Sequence, residues 1–447
     1  MKPLAPVFDD YRAHLLALRT AALAAADPAE AVRRWFTPDD LLDAEQVYLV
    51  ALGKAGLSMA QAAAGVLGAR LAGGVAAVPR LPEVVPGQPP QPLAERVSFI
   101  EGGHPEPTAG SLTAGRAVEA LLSRTTARDL VVVLVSGGGS ALIELPRAGL
   151  TLADIKQTTA ALLRSGATIN EMNLVRTQLS QLKGGGLARL ASPARVLGLI
   201  LSDVVASPLE AIASGPTVIG PLESGAALAV IDRYGLRARL PEAVVYALQH
   251  GTGPLDVSRP APRVENRLIG SNRLAAEAAV AAAHKLGFAA ELIGDDWQGE
   301  ARLVGRRFAR ALLAARPGPW QSPRAETALE PLRPRCLVAG GESTVVVTGQ
   351  GRGGRNQEAA LAAALVIDEQ PRLAINTFAT DGVDGPTDAA GVVVTGETLA
   401  RARALGLDAE HYLSDNDSYT FFTRVGGLLI TGPTGTNVND LMFGLAY

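Results

Sequence analysis

Apolar residues in this chain come in two rhythms. Short unbroken runs at 47–52, 131–135, 196–201, 267–269, 337–339, 344–347, 374–378 and 428–431 alternate with longer stretches of helical spacing. The helical stretches span 11–26, 57–71, 111–123, 152–163, 173–183, 273–286, 299–315 and 357–365. Strand-length runs that alternate with helices predict an α/β architecture. A run such as Val131-Val132-Val133-Leu134-Val135 is apolar at every position, as expected of a central strand covered on both faces. Thr151 followed by Asp154 predicts a capped helix start.

Composition then removes several classes. The formal net charge is −3 and no basic block stands out, which excludes a dedicated nucleic-acid binder. One cysteine, Cys336, excludes a disulfide framework and a cysteine-built zinc site, and reads as plain core. No apolar run reaches the roughly 18 residues of a membrane span. The N-terminal region carries Asp9, Asp10, Arg12 and Arg19, unlike a signal peptide. These features describe a soluble, cytoplasmic protein without a nucleic-acid or membrane partner. Among its 41 cationic side chains only five are lysine. A lysine kept in a glycine turn is therefore conspicuous.

At 447 residues the chain holds two or more domains. Proline-rich stretches at 79–92 and 316–335 read as loops, and the stretch 240–262 is a weak segment. A break near 240 gives 1–240 and 241–447, each large enough for its own core.

Several loops follow a strand and open a helix, where α/β proteins bind ligands. The first contains Gly53, Lys54, Ala55, Gly56 and Ser58. A helix N-terminus beside a lysine suits an anion. This is not a Walker A loop, because Tyr48 stands at the first glycine and Ala55 where Ser or Thr would hold Mg²⁺. The second is Ser136, Gly137, Gly138, Gly139 and Ser140, a candidate anion nest. The third runs from Gly349 to Glu358. Its Gly349, Gly351 and Gly354 match G-x-G-x-x-G, so a dinucleotide site competes here. Arg352 and Arg355, with Gly353 and Asn356, make the loop read rather as an anion clamp.

Carboxylates follow two further strands: Asp203 on one side, and Asp381, Asp384 and Asp388 on the other. Such groups beside phosphate loops hold Mg²⁺ or a substrate hydroxyl, while Asp-Gly pairs also simply make turns. Arg176, Ser180 and Lys183 fall on one predicted helix face. They are either a basic wall of an anionic site or a solvated face ahead of Gly184–Gly186. His104 reads as a structural loop histidine.

The ordered set of these motifs resembles one family, the class II glycerate kinases with a C-terminal MOFRL domain. It comprises Gly53-Lys-Ala-Gly56, Gly102-Gly-His-Pro-Glu-Pro107, Ser136-Gly-Gly-Gly-Ser140, Lys183-Gly-Gly-Gly186, Ser202-Asp-Val204 and Ala213-Ser-Gly-Pro216. It continues with Gly340-Gly-Glu342, Gly353-Gly-Arg-Asn-Gln-Glu358, Thr380-Asp-Gly-Val-Asp-Gly-Pro386 and Thr431-Gly-Pro-Thr-Gly-Thr-Asn437. The resemblance covers roughly residues 45–440. It implies ATP-dependent phosphorylation of D-glycerate at the 2-hydroxyl, with Mg²⁺ or another divalent cation. It implies a Rossmann-like N-terminal domain with a mostly parallel sheet and a mixed α/β MOFRL domain. The active site is expected in the cleft between them, and the final segment is free to pack back on the first domain. Lys54 and Arg355 would act on the transferring phosphoryl, with Asp203 as the aspartate. Gly53, Ser136–Ser140, Lys183, Gly351, Gly353, Gly354 and Asn356 would hold nucleotide or glycerate, and Asp203, Asp381 and Asp384 the metal. The alternatives are an NAD(P)H-dependent hydroxypyruvate reductase and a non-catalytic sensor of glycerate or nucleotide. Oligomeric state stays open, a homo-oligomer included.

Overall fold

The computed structural model describes residues 6–82, 92–220, 224–250, 261, 263–316 and 333–447. Most of both proline-rich loops, and residues 251–260 and 262 of the weak segment, lie outside the described residues. Thirteen described strands form two sheets.

The first sheet contains β1 (Val47–Leu52), β2 (Leu71–Val78), β3 (Val97–Glu101), β4 (Leu130–Val135), β5 (Arg195–Leu201) and β6 (Arg263–Gly270). Their order is β3-β2-β1-β4-β5-β6. The pairings of β1 with β2, β2 with β3, β1 with β4 and β4 with β5 are all parallel. This is the doubly wound order of a Rossmann-like fold. Every residue of β1 and of β4 is buried, as their unbroken apolar runs predict. A parallel return needs a crossover. The helices Gly56–Leu67 and Ala109–Leu122 supply two of them. Thr151 opens the helix Leu152–Ser165, with its N–H and hydroxyl bonded to Asp154.

The second sheet contains β7 (Ala289–Leu292), β8 (Trp297–Glu300), β9 (Arg335–Thr344), β10 (Leu373–Ala379), β11 (Gly391–Thr395), β12 (Leu428–Leu429) and β13 (Asp440–Ala446). Its order is β12-β11-β10-β13-β9-β7, with β8 beside β9. It is mixed: β9 is antiparallel to β13 but parallel to β7 and β8. Leu337, Ala339, Ile375, Val392 and Met442 form one core with the helices Ala301–Ala314 and Arg355–Val366.

The compact units are Pro28–Ile269, and Gly270–Tyr447 together with the chain up to Asp27. We call them the parallel-sheet and mixed-sheet units. This division differs from a break near 240 at both ends. Leu236, Leu240, Val244 and Leu248 share one core with Ile155, Leu162 and Val175, so a cut at 240 would split a helical cluster. The strand β6 then extends the parallel sheet to residue 270. At the other end, helix Tyr11–Ala26 buries Leu15, Leu18 and Ala22 within the mixed-sheet unit. Its His14 bonds the Tyr447 hydroxyl, and its Arg19 bonds Asn376. The final segment forms β13, between β9 and β10 of the mixed sheet.

Candidate functional site

In the parallel-sheet unit the strand order reverses between β1 and β4, which makes their carboxyl ends the switch point where such sheets bind ligands. Two predicted loops meet there. Lys54 N–H donates to Gly137 O at 2.9 Å, and Ala55 N–H donates to Ser136 Oγ at 3.0 Å. Gly53 has φ 117°, and a Cβ there would lie 2.1 Å from Ser136 Oγ, so only glycine fits this crossing. The Lys54 side chain is exposed, at the mouth of the helix Gly56–Leu67.

Two more groups close on the glycine loop. A Cβ on Gly137 would lie 1.8 Å from Asp203 Oδ2, so the Asp203 carboxylate rests directly on that backbone. A Cβ on Gly138 would lie 2.8 Å from His104 Cδ2 and 3.4 Å from Lys54 Cγ. Lys54, His104 and Asp203 thus surround residues 137–138. His104 reads as structural from sequence, although it lies within the Gly102–Pro107 motif. Burial, and then the Lys54 charge, lower its pKa from 6.5, so the imidazole is neutral near pH 7. Beside it, the Ser214 hydroxyl donates to Asn173 Oδ1 at 2.9 Å and pairs with Ser140 Oγ at 2.9 Å. With the Ser214 proton given to Asn173, the Ser140 hydroxyl is the donor of that pair.

Lys183 does not join this site as a ligand group. The helix Ile169–Leu179 stops before Ser180, so Arg176, Ser180 and Lys183 do not share one helix face. Nor is the face solvated. Lys183 is buried and its ammonium bonds the buried Glu144 carboxylate. Burial lowers the Lys183 pKa, while the Glu144 charge opposes the shift. The largely buried Arg176 also feels the Glu144 charge. This cluster is an internal ion pair.

In the mixed-sheet unit Arg355 opens the helix Arg355–Val366. Its guanidinium forms a two-pronged bond to Asp440, Nε to Oδ2 at 2.6 Å and Nη2 to Oδ1 at 3.0 Å. Nη1 reaches Glu342 Oε1 at 3.0 Å. This leaves part of the fork uncommitted on a side chain about one-third exposed. Burial pushes the Asp440 carboxyl up to about 6 against the pull of Arg355 and Asn356. Asp440 was missed from sequence. It starts an apolar strand beside the amides Asn437 and Asn439, and the acidic residue before it in sequence is the distant Asp417.

The glycine loop before Arg355 is not an open anion cradle. Thr348 and Gly349 N–H both donate to Asn416 Oδ1, Gly351 N–H to Asp415 O, and Arg352 N–H to Asp417 Oδ1. A Cβ on Gly353 would meet Ser418 Oγ, and one on Gly354 would meet the Asp384 carboxylate. Carboxylates and carbonyls, not phosphates, occupy this loop. Asn356 is equally committed, with Nδ2 donating to Asp384 Oδ1 and Asp440 Oδ1. Gly351 and Asn356, expected to bind ligand, thus have partners within the chain, and Gly353 and Gly354 are closely approached by Ser418 and Asp384. The G-x-G-x-x-G match fits a dinucleotide site poorly, because β9 belongs to a mixed sheet and the N–H groups of 348–352 are taken.

Asp384 is committed too. It is buried, and its carboxylate accepts the backbone N–H groups of Asn356 and Gln357 and both side-chain amides. It caps the helix Arg355–Val366 from outside and has no oxygen turned to a metal. Asp381 closes its own turn, Oδ1 accepting Val383 N–H at 3.1 Å. Among the described residues no group of three His, Cys, Asp or Glu side chains is placed to hold a metal ion. Cys336 is buried core, its thiol pushed up to about 12 by burial.

A phosphate-type switch point carrying a lysine and an aspartate, on a Rossmann-like sheet joined to a mixed α/β unit, defines a class of two-unit α/β enzymes acting on small anions. Comparison with known proteins narrows this. Residues 14–249 match a domain of unknown function, DUF4147, and residues 335–440 match the MOFRL family. A D-glycerate 2-kinase of Thermotoga maritima is 41% identical over 90% of this chain and 91% of its own length. The glycerate 2-kinase of Pyrococcus horikoshii is 38% identical over 98% of this chain and 97% of its own. A protein of Agrobacterium vitis described as a putative hydroxypyruvate reductase is 41% identical over 78% of this chain and 77% of its own length. The crystal structure of the Thermotoga maritima glycerate kinase superposes with TM-score 0.85 at 38% identity, covering 98% of this chain and all of that one. The chain belongs to the MOFRL-containing glycerate kinase family.

Proposed function

We infer that this chain transfers the γ-phosphoryl group of ATP to the 2-hydroxyl of D-glycerate, giving 2-phosphoglycerate and ADP. The observation that carries the reading is the convergence of Lys54, His104 and Asp203 on residues 137–138 at the switch point of the parallel sheet. Phosphoryl transfer asks mainly for positioning and charge neutralisation, and this is a site built for both.

In the reaction the glycerate 2-oxygen forms a bond to the γ-phosphorus. The bond from that phosphorus to the β,γ-bridging oxygen breaks, and ADP leaves with its electron pair. Asp203 orients the 2-hydroxyl and takes its proton. Lys54, a compact charge on an exposed side chain, faces the oxygens of the moving phosphoryl group. Arg355, with Asp440 and Glu342 holding its fork in one orientation, is assigned to phosphoryl contact as the family resemblance implies. Turnover of Arg355→Ala tests that assignment, with a loss of about 10²–10³ expected.

Mg²⁺ usually travels with nucleotide phosphates and takes only one or two protein carboxylates, so the lack of a three-ligand cluster fits it. Of the two roles open to Asp203, base for the hydroxyl and ligand for that ion, we assign the first. When bound, the ion would supply further neutralisation of phosphate charge. No helix among the described residues is long and apolar enough to cross a membrane, and we place the enzyme in the cytoplasm on its composition.

The test is phosphorus NMR on pure protein with D-glycerate, ATP and Mg²⁺. The 2-phosphoglycerate resonance is expected. A 3-phosphoglycerate resonance would overturn the regiochemistry. NADH oxidation on hydroxypyruvate without phosphate transfer would restore the reductase, and binding without turnover the sensor.

A further inference from the structure

A cavity of ≈ 440 Å³ opens in the mixed-sheet unit, between the helix Tyr11–Ala26 and the turn around Gly426. Three guanidinium groups line it, those of Arg12, Arg19 and Arg401, and no carboxylate does. Several arginines of this unit have an acid: Arg273 has Asp295, Arg302 has Glu358, Arg355 has Asp440 and Arg403 has Asp368. Among the described residues the three cavity arginines pair only with neutral groups. Arg12 Nε bonds the Tyr11 hydroxyl, and Arg401 Nη2 lies 3.4 Å from Thr398 Oγ1.

Arg19 is the informative one. It is half-buried, and its Nη1 donates to Asn376 Oδ1 at 2.9 Å. Asn376 is fully buried, and its Nδ2 donates to Val392 O and Thr377 O, which fixes the amide so that its oxygen faces the arginine. A dedicated neutral acceptor thus holds a half-buried guanidinium in the cavity wall. A partly buried cation without a counter-ion is costly unless something anionic completes it. The remaining wall is apolar, from Leu15, Val393, Val425 and Leu428, which favours an organic body over a bare ion.

We propose that this cavity is a second ligand site, distinct from the Lys54 site, for a small organic polyanion bearing phosphate or carboxylate groups. Its lining belongs wholly to the mixed-sheet unit and includes none of Arg355, Glu342 or Asp440. The proposal stands independently of the assigned reaction. Arginine forks pair phosphate and carboxylate in two-pronged fashion, and three of them match a ligand of two to three negative charges.

The test is calorimetric titration of the full chain, without ATP or Mg²⁺, using citrate, 3-phosphoglycerate, inorganic phosphate and glycerol as probes. Citrate or 3-phosphoglycerate is expected to bind with a Kd below about 1 mM, with phosphate weaker and glycerol silent. Binding should weaken about tenfold in Arg401→Gln and in Arg19→Gln, and persist in Lys54→Ala. The exposed Arg401 and Arg12 keep the test sound where Arg19→Gln fails to fold. Arg401→Gln should leave glycerate turnover without effector unchanged. Equal affinity in the arginine variants, loss of binding in Lys54→Ala, or no heat with any probe up to about 10 mM would overturn the proposal.

Discussion

The two glycine-rich loops of this molecule look alike as sequence and are opposite as structure. Residues 136–140 and 349–354 both follow a strand, precede a helix and sit next to cationic side chains. In the first, Gly137 O accepts Lys54 N–H and Gly138 O accepts Ala141 N–H, while Ser136 and Gly139 N–H donate to Leu52 O and Ser136 O, so the loop backbone is tied only to its own turn and the neighbouring strand end. A lysine, an imidazole and one carboxylate side chain then stand against it. In the second, the tied groups are the N–H donors, and residues 415–417 hold them. Glycine content marks where a backbone must be approached closely. It does not say whether a ligand or another stretch of the same chain makes the approach.

The largest expected effect comes from the first loop's carboxylate. Asp203→Asn should lower kcat by about 10²–10⁴ with a small change in the KM for glycerate, measured by coupled ADP release. A variant whose activity returns at high Mg²⁺ would transfer Asp203 from the hydroxyl to the metal. Lys54→Ala follows, with a loss of about 10²–10³ in turnover at unchanged melting temperature. Lys54→Arg should be nearly as damaging, because a planar fork does not replace a compact charge. Near-normal turnover in either lysine variant breaks the claim that the first loop is the working one.

The second loop predicts effects on stability. Asp384→Ala leaves two buried backbone donors of a helix start unpaired and should cost about 3 kcal/mol by denaturant unfolding. The Mg²⁺ dependence of turnover should stay as it is. A large shift in metal requirement would return Asp384 to the metal site. The smallest effect is on pH. Asp440 titrates at about 6, raised from 3.8 by burial. As pH falls through 6 the carboxyl takes a proton and loses one acceptor for Arg355, so kcat/KM should decline there. Asp440→Asn should remove that inflection. For stability the sign is reversed. The folded state holds the extra proton, so this group's contribution is present below about 3.8 and lost as pH rises through about 6.

Sequence reading reached the parallel sheet with ease, because β1, β4 and β5 are apolar at nearly every position. It missed β2 (with Gly73 and Gly74 inside it), β3, the short strands β7 and β8, whose signal is too weak to separate from a loop, and also β11 and β13. It expected a strand at 344–347, where β9 ends at Thr344. It placed Lys54, Asp203 and the 136–140 loop as candidates, since each lies at a strand end. It could not show that Asn416 and Asp417 cover the 349–354 loop from some 65 residues away. Nor could it separate Lys183 from Lys54. Both stand beside glycines, and only packing reveals that one faces solvent and the other Glu144. Local pattern fixes where a side chain sits on its element, and long-range contacts decide what it meets.

One paired measurement bears most directly on this contrast: turnover and melting temperature of Gly137→Ala beside Gly351→Ala. The new methyl at Gly137 would first meet the Asp203 side chain, at 1.8 Å from Oδ2. The one at Gly351 would meet Asp417 Cβ at 2.3 Å and Asp415 O at 2.6 Å. The expected result is that Gly137→Ala loses at least about tenfold in kcat while melting almost as the parent does. Gly351→Ala should keep its turnover per folded molecule and melt about 2–6 °C lower. The reverse pattern, with activity lost at Gly351 and only stability lost at Gly137, would contradict the account.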